Sequence, residues 1–227
     1  MSFILNIDTA SEKAHVSFAE NGKILHSLSS ESQKEHASFL QSAIEQLIKI
    51  TGIKLAAVDA VAVTAGPGSY TGLRVGMASA KGLCYALKKP LITMGTLEVL
   101  TASALKLFMN EGDEAYFYCP MMDARRMEVF TAIYKKDLSA QLPPCAMILD
   151  EFSFEKELLN SKIYFFGTGA QKWKLICKSA NAIFKTASID PESMCRLSNT
   201  LFTENKFTEL AYSEPLYLKE FQTVIKN

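Results

Sequence analysis

The stretch with the most chemical promise is Gly66 to Arg74, G-P-G-S-Y-T-G-L-R, which follows the apolar run Val61-Ala62-Val63 and leads into an amphipathic segment rich in small residues. That order reads as strand, tight loop, helix. Gly66 and Gly68 open backbone angles closed to other residues, Pro67 fixes its own φ, and Thr71 is placed to cap a helix opening at Gly72. Free amides at a helix N-terminus favour an anion. A Walker A loop, however, needs Gly-Lys followed by Ser or Thr where this chain has Gly72-Leu73-Arg74, so that phosphate loop is excluded. Ser69 sits in G-P-G-S-Y and not in the G-x-S-x-G elbow of a hydrolase, and nothing in the sequence pairs it with a histidine. His15 and His26 fall in separate strands, where packing or surface roles suffice.

Positioning these residues requires an α/β scaffold. Phe3 to Ile7 is an apolar strand ending at Asp8; T-A-S-E turns into a strand from His15 to Ala19, and Asn21-Gly22 is a hairpin turn into Ile24 to Ser29. Ser32 to Ile50 carries Phe39, Leu40, Ala43, Ile44, Leu47 and Ile48 at helical period. A strand from Val58 to Val63, the glycine loop and its helix, a strand around Leu91 to Thr93 and a helix from Thr96 to Phe108 complete a β-β-β-α-β-α-β-α half. The second half repeats it in degenerate form. Ala115 to Met122 runs into Asp123, a polar A-R-R turn and a strand from Met127 to Tyr134. Ile163 to Phe166 runs into G-T-G-A-Q-K-W, a second strand-glycine-helix junction behind which Trp173 packs. A helix from Ser193 to Phe202 follows Pro191, and the chain closes on a short proline-marked tail.

The 227 residues, 48% of them hydrophobic, suffice for one large domain or two lobes of about 110 residues. With 24 basic and 24 acidic residues, no basic excess marks a nucleic-acid surface, so RNA would be held mainly by a partner. Five scattered cysteines without a C-x-x-C pair argue against a disulfide framework and a zinc knuckle. The N-terminus has no signal-peptide pattern, which leads us to expect a soluble, cytoplasmic protein.

The helix after the glycine loop carries a second message. Gly72, Gly76 and Ala80 recur every four residues, with Ser79 and Gly82 nearby, so one face is nearly bare backbone. Helix-interior glycine costs about 1 kcal/mol, so bare faces exist because something packs close. A neighbouring element of the same chain and a partner subunit both remain open.

The run G-P-G-S-Y-T-G-L-R-V-G resembles the signature of the bacterial TsaB (YeaZ) family of the actin, sugar-kinase and Hsp70-like (ASKHA) superfamily. D-T-A at Asp8, E-H at Glu35, D-A-R-R-x-E at Asp123, G-T-G at Gly167 and P-L-Y-L-K at Pro215 fall in family order, so the resemblance covers nearly the whole chain. It implies a two-lobed ASKHA (ribonuclease H-like, actin-like ATPase) α/β fold. Residues 1–108 would form an N-terminal lobe with partner-binding helices, and 109–227 a degenerate C-terminal lobe with its tail.

It also implies a vestigial nucleotide cleft at Asp8, Thr9, Ser11, Asp123, Arg125, Gly167 and Gly169, with Asp8 and Asp123 at the superfamily's metal-positioning sites. The sequence departs from that pattern, because D-T-A-S lacks the phosphate-closing glycine and D-A-R-R puts bulky charges in the second turn. The H-x-x-x-H metal pair of the catalytic paralogue is also broken, since His36 is followed by Leu40. No metal or cofactor is therefore expected beyond weak nucleotide binding.

The function implied is a non-catalytic activating subunit in tRNA N6-threonylcarbamoyladenosine modification, pairing with the catalytic paralogue TsaD, joined by the ATPase TsaE, and forming a homodimer when alone. Phe39, Ala43, Leu47, Gly72, Arg74, Gly76, Met77 and Ala80 are the expected interface, on which basis Gly76→Leu or Ala80→Glu would break pairing and spare the fold. The alternative is a nucleotide-dependent small-molecule phosphotransferase using Asp8 and Asp123 with magnesium; a peptidase acting on a partner is weaker.

Overall fold

A computed structural model describes residues 1–30, 36–108 and 117–219, without the side chains of His36 and Ala37. Glu35, the first turn of the helix expected from Ser32, and the His36 side chain therefore lie outside the described residues.

The first sheet is built from β1 (Phe3–Asp8), β2 (His15–Glu20), β3 (Lys23–Ser29), β4 (Ala60–Gly66) and β5 (Leu91–Gly95), in the order β3-β2-β1-β4-β5. β1 is antiparallel to β2 and parallel to β4. Asn21 and Gly22 both take positive φ, as the hairpin requires. The two-residue strand period splits the core in two. Leu5, Ile7, Val61, Val63 and Leu91 face α1 (His36–Thr51) and α2 (Tyr70–Leu87), while Ile4, Ala60, Ala62, Ile92 and Met94 face α3 (Thr96–Phe108) and α6 (Pro191–Thr203). After α6 the chain returns to the sheet, where Thr208 bridges to Leu91 on the outer edge of β5. Lys81 Nζ of α2 donates to the Ser213 carbonyl at 2.8 Å.

The second sheet repeats the topology. β6 (Phe117–Asp123), β7 (Glu128–Tyr134), β8 (Ala140–Ile148), β9 (Ile163–Phe166) and β10 (Ala182–Phe184) lie in the order β8-β7-β6-β9-β10. β6 is antiparallel to β7 and parallel to β9. The helices have shrunk: α4 (Glu155–Leu158) and α5 (Ala170–Lys174) have four and five residues where α1 and α2 have sixteen and eighteen. They cover a core in which Trp173 packs against Phe154, Phe165 and Phe184.

The expected division at residue 108 needs correction in its second half. One compact unit comprises Met1–Asp113 with Ala187–Pro215, the other Glu114–Thr186 with Leu216–Asn227. The last helix of the second repeat thus packs on the first sheet, because β1, β4 and β5 leave an apolar face beside α3 that Met194, Leu197 and Leu201 of α6 cover.

The start of α6 is fixed by charge as well as packing. Asp190 caps it, accepting from the Ser193 amide at 3.2 Å and hydroxyl at 2.9 Å, with Pro191 in the first turn. Lys106 Nζ of α3 lies 3.0 Å from Asp190 and 2.5 Å from Glu192. Partial burial pushes the Asp190 carboxyl up, but Lys106 and Ser193 outweigh it and hold it below the usual range. Asp190→Ala is expected to cost about 1 kcal/mol at neutral pH. A lowered carboxyl contributes fully above the unfolded value of about 3.9 and loses its contribution as pH falls through the folded one. Denaturation midpoints of parent and variant should therefore converge only in strong acid.

Candidate functional site

The glycine loop closes on its own chain. β4 ends at Gly66 with φ 118°, and the Gly66–Pro67 peptide is cis. The Ser69 amide donates to the Ala10 carbonyl at 2.8 Å, and the Ser69 hydroxyl accepts from the Gly72 amide at 3.2 Å. Ser69 is thus the cap of α2 where Thr71 was expected, because the helix begins two residues earlier, at Tyr70, and Thr71 lies inside its first turn.

Asp8, at the end of β1, is fully buried. Its Oδ1 accepts from the Ala10 amide at 3.0 Å and the Thr64 hydroxyl at 2.7 Å, while Oδ2 has no hydrogen-bond partner among the described residues. Thr9 and Ser11, expected in the nucleotide cleft, have hydroxyls engaged elsewhere. The Thr9 hydroxyl donates to the Gly72 carbonyl at 2.7 Å, and Ser11 to the Lys13 carbonyl at 3.2 Å.

Asp123 sits in a different register. Ile7 pairs with Val63, so Asp8 is one residue past the last paired position of β1 and β4. Pro120 pairs with Phe166, which leaves Asp123 three residues beyond the corresponding ladder. Both aspartates nonetheless close the antiparallel ladder of their unit, Asp8 opposite His15 and Asp123 opposite Val129, and they differ in burial: Asp8 is fully buried and Asp123 exposed.

Around Asp123 the turn is self-satisfied. Its Oδ1 accepts from the Arg125 amide at 2.6 Å and pairs with Lys172 Nζ at 3.0 Å, and its amide donates to Thr168 Oγ1 at 3.0 Å. Partial burial raises the Asp123 carboxyl, and the Lys172 ammonium with the Arg125 amide outweighs it, leaving it below the usual carboxylate range. Gly167 takes φ 95°, and the Gly169 amide donates to the Met121 carbonyl at 2.9 Å. Arg125 enters through its backbone, at φ 71°, with an exposed side chain.

The expected partner face also needs correction. Ala43, Leu47, Gly72, Gly76, Met77 and Ala80 are buried against the first sheet, and Phe39 packs partly buried on the same core. A Cβ at Gly76 would overlap Thr9 Oγ1, so this helix is bare because β1 and its turn pack on it. Leu40, the residue that breaks the histidine pair, is likewise a core leucine. Of the expected set only Arg74 is exposed, its guanidinium 4.0 Å above the Tyr70 ring.

The outward face of α2 carries a second small-residue stripe. Ala78, Gly82 and Ala86 are exposed at four-residue spacing; nothing lies within 4 Å of a Cβ built at Gly82, and Tyr85 beside it is 80% exposed. Gln41 of α1 donates to Ser79 at 3.2 Å, which joins the polar edge of α1 to this surface. The stripe is readable in the sequence as a repeat displaced about half a helical turn from Gly72, Gly76 and Ala80.

Residues 24–220 match the family described as TsaD, tRNA N6-adenosine threonylcarbamoyltransferase. A relative from Escherichia coli K12 named tRNA threonylcarbamoyladenosine biosynthesis protein TsaB is 26% identical over 95% of this chain and 94% of its own. The protein of the same name from Haemophilus influenzae is 32% identical over 56% of this chain and 51% of its own. A solved structure from Pseudomonas aeruginosa, described as similar to peptidase YeaZ, superposes with a TM-score of 0.81 at 23% identity, covering 96% of this chain and all of the other. That likeness establishes the two-sheet α/β fold.

Proposed function

The chain belongs to the family described as TsaD, tRNA N6-adenosine threonylcarbamoyltransferase, and we propose that it serves threonylcarbamoyladenosine formation in tRNA as a non-catalytic activating subunit. In this reading it pairs with the catalytic paralogue TsaD in the cytoplasm, is joined there by the ATPase TsaE, and meets tRNA mainly through the complex. Alone, the same surface pairs with a second copy.

The observation that carries the reading is the outward stripe of α2, where Ala78, Gly82 and Ala86 let another helix approach closely beside the exposed Tyr85. The interface is accordingly proposed on this face, with the exposed Gln41, Ser42 and Glu45 of α1 and with Arg74. The state of the two aspartates supports the absence of chemistry. Asp8 is fully buried with its Oδ1 bound by Thr64, and Asp123 is paired with Lys172, so neither is presented to solvent as an open metal-binding carboxylate.

The test is reconstituted tRNA threonylcarbamoylation with TsaD, TsaE and the adenylate-forming enzyme, with and without this chain. Modification should require the chain, and Asp123→Asn should leave its rate unchanged. Modification at full rate without the chain would overturn the reading. Magnesium-dependent ATP binding by the isolated protein that disappears in Asp123→Asn would replace it with the phosphotransferase.

A further inference from the structure

The turn between β6 and β7 holds a cation that belongs to the chain. Lys172 of α5 directs its Nζ at the Arg126 carbonyl at 2.6 Å, Asp123 Oδ1 at 3.0 Å and the Glu128 carbonyl at 3.1 Å. An ammonium has three N–H donors and no acceptor, and here three oxygens receive them. The Lys172 side chain is 16% exposed against 46% for Asp123, so the charge sits beneath the turn and not in solvent beside it.

The backbone is shaped for this contact. Arg125 and Arg126 both take left-handed angles, φ 71° and 49°, which bring the 126 and 128 carbonyls to the same side as the carboxylate. The Glu128 amide closes the turn on the Arg125 carbonyl at 3.1 Å. One carboxylate oxygen and two carbonyls are the donor types a hard cation takes. The first unit treats its aspartate differently, with a hydroxyl and an amide on Asp8.

We infer that Lys172 is a resident substitute for a metal ion at the second turn: its ammonium occupies an oxygen site formed by Asp123, Arg126 and Glu128 and keeps divalent cations out. The inference concerns this turn alone and stands whichever partner the other unit binds. It explains why an aspartate at the end of a strand, beside a strand-glycine-helix junction, need not imply metal-dependent chemistry. Removing the ammonium while keeping the oxygens should turn the lock into a binding site.

Two measurements test it. In the parent protein, acylation of surface amines read by mass spectrometry should modify Lys172 far more slowly than the exposed Lys174 on the same helix, and Asp123→Ala should release that protection. In Lys172→Met, terbium luminescence, with the sole tryptophan Trp173 next in the chain as antenna, should report a saturable site. Its affinity should exceed that of the parent by at least about fivefold, since a unit charge within 4 Å of the ion is worth about 1–4 kcal/mol. Asp123→Asn in the Lys172→Met background should abolish it. The inference fails if the parent binds terbium as tightly as Lys172→Met, if folded Lys172→Met binds none, or if Lys172 is acylated as fast as Lys174. The acylation result decides the matter should Lys172→Met not fold.

Discussion

Gly82→Arg is expected to abolish association with TsaD and with a second copy, and with it tRNA modification, while the chain stays as stable as the parent. Ala80→Glu, two residues away, should unfold the first unit. The contrast follows from the two faces of α2. A side chain at residue 82 enters open solvent, and replacing a helix-interior glycine gains up to about 1 kcal/mol of propensity. A bulky cation there would hold off any helix seated on Ala78, Gly82 and Ala86. Ala80 is fully buried among Leu5, Ile7, Val61 and Val63, and a carboxylate there costs several kcal/mol without a partner. Sedimentation and thermal circular dichroism on both variants separate the outcomes. Gly82→Arg that still pairs would remove this face from consideration, and a stable Ala80→Glu would contradict the packing of α2.

Trp173→Ala should lower the stability of the second unit by about 3–5 kcal/mol, the usual cost of emptying a buried aromatic site. Trp173 is 1% exposed and lies with ring centroids 4.6 Å from Phe165, 5.0 Å from Phe154 and 5.7 Å from Phe184. Its indole N–H donates to the Asp150 carbonyl at 3.0 Å, tying α5 to the loop after β8. Trp173→Phe should retain much of the packing and lose that bond, for a cost nearer 1–2 kcal/mol. Chemical denaturation followed by far-ultraviolet circular dichroism measures both. Equal losses would mean that the hydrogen bond, not the ring volume, holds the site.

Much of the first sheet was legible because each strand was punctuated by a strong signal, such as Asn21-Gly22 or the glycines after Val63. β8 was not, because Pro143 and Pro144 demote any strand pattern. It survives as an edge strand paired only with β7, where the register shifts between Thr131 and Ile133. The placement of α6 was hidden for a different reason: repeat order gives a helix its neighbours in sequence, not the sheet it covers. The partner face was misread because periodicity groups Gly72, Gly76 and Ala80 on one side of α2 without saying which side meets solvent. The difference in burial between the two aspartates was hidden because a strand-Asp-turn pattern does not count the rungs of the parallel ladder beside it.

The excursion of α6 sets a timetable for synthesis. The first sheet's five strands and three of its helices are complete by Phe108, but the helix that closes the remaining apolar face ends at Thr203. At translation rates of about 5–20 residues per second, the nascent chain must carry that face, with Ile4, Ala62 and Ile92, incompletely covered for roughly 5–20 s. The second sheet, whose strands all lie between Phe117 and Phe184, emerges whole within that interval. The half of the protein made first is thus the half finished last, and a ribosome stalled anywhere before α6 would display an open hydrophobic surface to chaperones.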